Sequence, residues 1–375
     1  MAEKILTVVV PAYNAERDLA YNLISLCRPD FLQDIQVIVV DDGSTDATGE
    51  IADQWAARYS DTVEVIHKPN GGHGSGINAG IQAAKGAYFK VVDADDWVEE
   101  TAFSHLLRTL KNLIRGERTG AEEKNEVRKK TGADAGRGAE ARTIADAVVS
   151  GFYWAIEEPG KRPEEFRRKA EIREPFSGVE YGRLYRFDEI TDKIYLKMHG
   201  LTLRTAILKE HNIRIDENCY YVDTEYILYP VPYIETVLFI PDFVYQYRIG
   251  REGQSISPEK MQKNASCYDK VLHSLLLFLR ECRDGRITCS PEKIAYIEGI
   301  IARAAAGKIK ILLSASASKE NLQKLVKFDR GIRKHAPGVY RANRNFAVRL
   351  LRLSHYTLYR PAVWMLRKKN KIKQK

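Results

Sequence analysis

Asp93, Asp95 and Asp96 crowd together directly after the apolar run 88–92, at the end of what reads as a buried strand. Three carboxylates beside Val91 and Val92 are costly without a counter-charge. A turn at Ala94 lets Asp93 and Asp95 reach one hard cation. Mg²⁺ or Mn²⁺ fits, because these ions combine carboxylate with phosphate oxygens and keep several waters. Such an ion would bridge a diphosphate and neutralise a leaving group. The plainer alternative is a solvated acidic turn or a helix cap.

A second acidic pair, Asp41 and Asp42, opens the segment Asp-Asp-Gly-Ser-Thr-Asp at 41–46. A carboxylate there can accept a hydrogen bond from the N–H of a nucleobase. Ser44, Thr45 and Asp46 suit helix capping, which explains the acidic pair less well. The run 70–80, Asn-Gly-Gly-His-Gly-Ser-Gly-Ile-Asn-Ala-Gly, brings small residues and a helix start, a combination that lets backbone approach phosphate. Its spacing is not a dinucleotide fingerprint, and no P-loop Lys-Ser/Thr follows. The run 8–14, Val-Val-Val-Pro-Ala-Tyr-Asn, ends a strand at Pro11, where exposed backbone can meet a flat ring.

These groups need a frame. Apolar runs at 5–10, 35–40, 63–67 and 88–92 alternate with helical stretches at 16–27, 47–59 and 76–84. Four such alternations predict an α/β fold, a mostly parallel sheet with helices on both faces. Ligands of such sheets bind beyond the C-terminal strand ends, which is where all four motifs stand. A further helix is expected over 101–114. The stretch 115–143 has Val127 as its only large aliphatic residue and reads as a mobile insertion or solvated helix. Strands are expected over 144–154, 237–240 and 243–248. Beyond Pro258 helices are expected over 260–282, 291–313, 319–334 and 343–359.

With these motifs in this order, residues 5–100 resemble the nucleotide-binding half of family-two glycosyltransferases with the GT-A fold. The resemblance implies that Pro11, Ala12, Tyr13 and Asn14 line a nucleoside pocket. It implies that Asp41, ahead of Asp42, meets the base, usually uracil. Gly74 and Asn78 would belong to the nucleotide site, with Ala94 between Asp93 and Asp95, which hold ribose and metal. More weakly, Cys-Tyr-Tyr-Val-Asp-Thr-Glu at 219–225 sits where the family carries its catalytic base, with Val222 in place of the usual Glu. Asp223 is the expected base, ahead of Glu225. One carboxylate taking the acceptor proton suffices for inversion when the leaving group is a metal-bound diphosphate. Arg251 and Ser255 resemble the family's closing loop and are candidates to hold the diphosphate. The stretch 197–205 is expected to form an acceptor-side wall, with His199 structural rather than catalytic.

The implied function is transfer of a sugar from a nucleotide diphosphate, a UDP-sugar, to a glycan or lipid-linked glycan acceptor with Mn²⁺ or Mg²⁺. A sugar nucleotidyltransferase would usually bring a basic glycine-rich loop near 11–20, which is missing. An inactive nucleotide-binding scaffold would be expected to have lost Asp93, Asp95 or Asp223. The expected domains are 1–257, with an acceptor half at 144–257, and a helical basic region at 258–375. That region carries 27 Lys and Arg against 8 Asp and Glu, whereas 1–257 carries 32 against 42. Its stripe of Phe346, Leu350 and Leu353 with a polybasic end suits an anionic membrane surface. Packing on the body is the alternative. No nucleic-acid motif accompanies the charge. Five scattered cysteines without metal spacing predict reduced thiols. The absence of a leader pattern or an apolar run of membrane-spanning length predicts a cytoplasmic protein, peripheral at the inner membrane face.

Overall fold

The computed structural model describes residues 4–116, 144–171, 176, 178–250 and 258–373. The chain divides into two compact units, Met1–Asn218 with Val222–Arg251, and Cys219–Tyr221 with Glu252–Lys375. Of the insertion expected at 115–143, Arg115 and Gly116 instead end a helix, and the rest, with both loop candidates, Arg251 and Ser255, lies outside the described residues.

In the first unit, β1 (Leu6–Ala12), β2 (Ile35–Asp41), β3 (Val63–His67) and β4 (Tyr88–Val91) run parallel in the order β3-β2-β1-β4. All of β1 and β2 is buried. Each fully buried Val or Leu stabilises by roughly 1.5–3 kcal/mol, so this pair anchors the sheet. β1 continues through Pro11, which the sequence suggested as its end. Pro11 pairs only towards β2, beyond the last β4 partner at Val91, so its missing N–H falls where the ladder has one neighbour.

Helices α1 (Leu19–Leu26), α2 (Thr48–Arg58), α3 (His73–Ala83) and α4 (Glu100–Arg115) alternate with these strands, a short β5 (Trp97–Val98) preceding α4. In α4, Phe103, Leu106, Leu107, Leu110 and Leu113 face the core at helical spacing. Glu99 caps its start by accepting from the Ala102 N–H, and Gly116 ends it at φ 70°.

The sheet then stops being purely parallel. After β6 (Ala147–Ile156), β7 (Arg167–Ala170) and β8 (Leu184–Arg186), strand β9 (Leu201–Arg204) inserts antiparallel between β4 and β6. β10 (Thr236–Ile249) returns parallel to β6. Two strands were expected where β10 is one. Its register shifts between Phe239 and Phe243, where Pro241 cannot donate to a ladder. Two short helices, α5 (Thr205–Glu210) and α6 (Asp223–Leu228), complete this unit.

The second unit is helical: α7 (Pro258–Lys263), α8 (Ala265–Arg283), α9 (Pro291–Ser314), α10 (Lys319–His335), α11 (Pro337–Ala342), α12 (Phe346–Leu353) and α13 (Tyr359–Lys373). The helix expected over 260–282 is interrupted at Asn264. The one expected over 343–359 is replaced by α12 and two breaks. Asn345 caps α12 by accepting from the Val348 N–H at 3.1 Å, and His355 and Tyr356 turn left-handed at φ 51° and 65°. Among the described residues no helix is long and apolar enough to cross a membrane.

Candidate active site

Tight turns at the C-terminal ends of β1, β2 and β4 bring the sequence motifs together. Asn14, at φ 50°, donates its N–H to Ser44 Oγ at 3.0 Å and accepts from the Thr45 N–H at 2.9 Å. The first two motifs are thus stitched to each other, with Pro11 and Ala12 buried below and Tyr13 54% exposed above. Asp41 accepts from the Ser44 N–H at 3.0 Å and meets His67 Nδ1 at 2.9 Å. Burial alone would raise its carboxyl, but the hydrogen bonds from Ser44 and His67 outweigh that and hold it below the usual range.

Asp42 turns the other way. It accepts from Lys68 Nζ at 2.6 Å and from the N–H groups of Gly71 and Gly72 at 2.9 and 2.6 Å. Both of its oxygens therefore shape the turn into α3. Gly74 packs where any Cβ would strike the Asp216 carbonyl, and Gly76 lies against Pro11. Asn78 Nδ2 donates to Ile215 O at 2.9 Å and its Oδ1 accepts from the Ile215 N–H at 2.9 Å. Asp42, Gly74 and Asn78, expected to contact nucleotide, are placed in positions that fix the surrounding loops. Gly74 and Asn78 hold the segment that leads to Asp223.

The acidic corner follows β4. Asn22 Nδ2 donates to the carbonyls of both Asp93 and Asp96, at 3.0 and 2.9 Å, and the Asp96 N–H returns to Asp93 O at 2.9 Å. This closes the turn around buried Ala94. Asp93 Oδ1 meets His73 Nε2 at 2.7 Å. Burial would raise Asp93, but the His73 charge and hydrogen bond hold it below the usual range. Burial would lower His73, and the charge and hydrogen bond of Asp93, with Asp223 and Asp95, raise it instead. Asp95 is half-buried on the same turn. Asp96 is buried and accepts from Tyr245 OH at 2.5 Å and the Arg248 N–H at 2.7 Å. Burial, reinforced by Asp95 and Asp93, pushes it well above the carboxylate range.

His199 enters from the turn before β9. Its ring lies 4.8 Å from Tyr245 and 4.3 Å from Tyr247, centroid to centroid. Burial pushes it down to about 4, so at neutral pH the imidazole is uncharged and able to ligate a metal. Its Nδ1 is buried and has no hydrogen-bond partner among the described residues. Donor atoms of Asp93, Asp96 and His199 lie within 4.8 Å of one another. The Asp93 carboxylate and a neutral imidazole nitrogen fit a divalent cation, whose charge would favour release of the Asp96 proton and bring a second carboxylate to it. Beneath them, fully buried Lys90 donates to His199 O at 2.8 Å and ties the His199 turn to β4.

Asp223 begins α6. It is exposed to solvent yet closely surrounded by protein, as a group lining a concave wall would be. Burial raises its carboxyl, His73 opposes the rise and Asp93 adds to it. Asp223, His73 and Asp93 therefore share one electrostatic environment. Just before it, Asn218 and Tyr221 take φ of 55° and 70°, a local strain of the kind that gathers at functional sites. Glu225 is fully buried and its Oε2 accepts from the Asp216 N–H at 2.7 Å. Solvent reaches Asp223, not Glu225.

Burial pushes Glu225 up to about 7 from its ordinary 4.5. Its folded state holds a proton that the unfolded chain has released, so stability falls as pH rises from about 4.5 to about 7. Glu225→Gln keeps an acceptor for Asp216 and removes the titration. The melting temperature of this variant will fall less between pH 5 and pH 8 than that of the parent, read by calorimetry at both pH values. Equal falls would show that Glu225 does not titrate in that range.

His73 and the third carboxylate, Asp96, were given no role in the sequence reading, and His199 was read as structural. Only His73 left a signal, an ionisable residue inside a glycine-rich helix start. Asp96 and His199 gain their positions from β10 and β9, far along the chain.

Residues 7–126 match the glycosyl transferase family 2 model. Glycosyltransferase EpsJ of Bacillus subtilis is 42% identical over 102 residues, 27% of this chain and 29% of that protein. The minor teichoic acid biosynthesis protein GgaB, also of B. subtilis, is 24% identical over 280 residues, 74% of this chain and 26% of its own. The matches thus span under a third of either relative's length. The crystal structure of S. aureus TarS 1-349 in complex with UDP-GlcNAc aligns with a TM-score of 0.60 at 16% identity, covering 99% of this chain and 91% of that one. The TarS likeness speaks for the fold alone, a GT-A fold, and the match over residues 7–126 makes that N-terminal segment of the chain similar to glycosyltransferase family 2.

Proposed function

We propose that the first unit transfers a sugar from a UDP-sugar to an acceptor hydroxyl with inversion at the sugar carbon. The observation that supports this most is the placement of exposed Asp223 in one electrostatic environment with His73 and the Asp93–Asp96 turn. In-line displacement requires a base on one side of the sugar and charge neutralisation of the leaving group on the other, the roles this reading gives to Asp223 and to a cation at the acidic turn. Tyr13 and the Asp41 turn would take the nucleoside. Asp93 and Asp95, with His199 Nδ1 nearby, would hold Mn²⁺ or Mg²⁺, which when bound offsets charge on the departing diphosphate. His73, held by Asp93, orients that carboxylate. Asp223 takes the acceptor proton. Arg251 and Ser255 remain candidates to contact the diphosphate.

The acceptor in this reading is a glycan or lipid-linked glycan of the cell surface, made at the inner membrane face. GgaB, a teichoic acid biosynthesis protein, supports a surface polymer. The UDP-GlcNAc bound to TarS makes that donor the first to test.

The test is a thermal-shift series with UDP-GlcNAc, UDP-glucose, UDP-galactose and GDP-mannose, with and without Mn²⁺. One UDP-sugar at a hundredfold excess over its Kd should add about 2.7 kcal/mol, a shift of several degrees that needs Mn²⁺. A response confined to nucleoside triphosphates would point instead to nucleotidyl transfer.

A further inference from the structure

We infer that the outer faces of α12 and α13 dock on the headgroup layer of an anionic phospholipid membrane. This goes beyond the proposed transfer and does not depend on it. Helix α12 carries two apolar stripes on opposite sides. Val348 and Leu351 pack into the core of the second unit with Ile309, Leu313 and Leu325. Phe346, Leu350 and Leu353, at i, i+4 and i+7, point away from that core and are 79%, 41% and 76% exposed. A helix lying on a soluble body needs only the inner stripe. Helix α13 repeats the pattern: Tyr359 and Val363 are buried, whereas Trp364 and Met365 are 63% and 65% exposed. Packing into the core of the second unit and presenting an apolar face are therefore compatible, because the same helices do both.

The charge around these residues selects the occupant. After Asp329 the sequence has 14 Lys and Arg and no Asp or Glu. Arg352 faces inward, with Nη2 2.6 Å from Asp329 Oδ1 and Nη1 donating to Tyr340 O at 2.8 Å. Arg344, Arg349, Arg360, Arg367 and Lys368 are exposed beside the apolar residues. Lys368 Nζ lies 5.2 Å from the Trp364 ring centre. Aromatic rings with long cationic side chains suit the interface between acyl chains and phosphate headgroups. A second copy of so basic a face would be repelled. Nucleic acid would use the charge but leave Phe346 and Leu353 without a role.

The experiment is co-sedimentation of the full chain with phosphatidylcholine vesicles, with and without roughly a third phosphatidylglycerol, no donor being present. Failure here would leave the proposed transfer untouched. Binding should require phosphatidylglycerol, weaken at high salt and bring a blue shift of tryptophan emission that Trp364→Phe diminishes. Phe346→Ser with Leu353→Ser, both outside the packed core, should lower partitioning about tenfold or more at an unchanged melting temperature. Equal binding to both vesicle types, or a double variant that binds like the parent, would overturn the inference. So would duplex DNA binding that competes with vesicles and ignores the two serines, or a concentration-dependent dimer that they abolish.

Discussion

Asp223→Asn will lower the rate of sugar transfer by about 10²–10⁴-fold, the range a positioned general base supplies, while donor binding persists. Asp223 is the first residue of α6 and exposed, so the amide should fold in place. Its carboxylate accepts from the local backbone N–H groups of Asp223 and Thr224, and an amide oxygen can accept there as well. The loss should therefore fall on kcat, with KM for the donor and the nucleotide thermal shift retained. Glu225 cannot substitute, because it is buried against the Asp216 N–H. The pH profile gives a second readout. Burial raises the Asp223 carboxyl, and a base works only when ionised, so the acid limb of kcat should lie above the ordinary carboxylate range. The residual activity of the variant should lack that limb. If Asp223 serves only the first turn of α6, the amide will leave kcat near the parent value and shift the melting temperature instead. That result would move the base elsewhere.

Local sequence carried the parallel half of the fold well, because β1, β2 and β4 are buried runs rich in β-branched or aromatic residues, β3 has its own β-branched alternation, and strong turn signals separate them. β3 falls on the expected residues 63–67, and β2 extends the expected strand by one residue. The antiparallel insertion of β9 was not legible, since a four-residue strand, Leu-Thr-Leu-Arg, has no partner information of its own. The breaks around α12 were missed for a different reason. The apolar spacing of 346–359 continues across Ser354 to Leu358, and what ends the helix is the left-handed pair His355 and Tyr356. In the site, the acidic turn announced itself by composition, and its neighbours did not. Asn22, Tyr245 and Arg248 position Asp93 and Asp96 from 71 to 152 residues away in sequence. The small residues of 74–80 have a packing role that sequence alone does not reveal. Close packing against a strand and close approach to phosphate both demand the absence of a Cβ, and sequence does not separate them. Gly76 against Pro11 and Gly80 against Val9 belong to the packing case.

The carboxylates of the acidic turn differ enough in environment to be separated by substitution. Asp96 has both oxygens engaged, by Tyr245 OH and the Arg248 N–H. It thereby joins the β4 turn to β10. Asp96→Ala would leave two buried donors unmatched, at a cost of about 1–3 kcal/mol each, so the ligand-free protein should melt well below the parent. Asp93 and Asp95 are instead both half-buried, so solvent reaches each of them in part. Losing an outer partner of a bound metal already costs about 10–100-fold in affinity, so losing a ligating carboxylate should cost more. Asp93→Ala should abolish the Mn²⁺-dependent part of the UDP thermal shift. Asp95→Ala should do the same. Asp93→Ala also frees His73, whose raised pKa rests chiefly on Asp93 against the pull of burial; the imidazole will then titrate lower, a shift visible by NMR without metal. The decisive comparison is Asp96→Ala in Mn²⁺. If that variant keeps its melting temperature but loses the metal response, the cation sits on Asp93, Asp96 and His199, and Asp95 is the bystander. If it is destabilised but still answers Mn²⁺ when folded, Asp96 is the beam that holds the turn open for the other two.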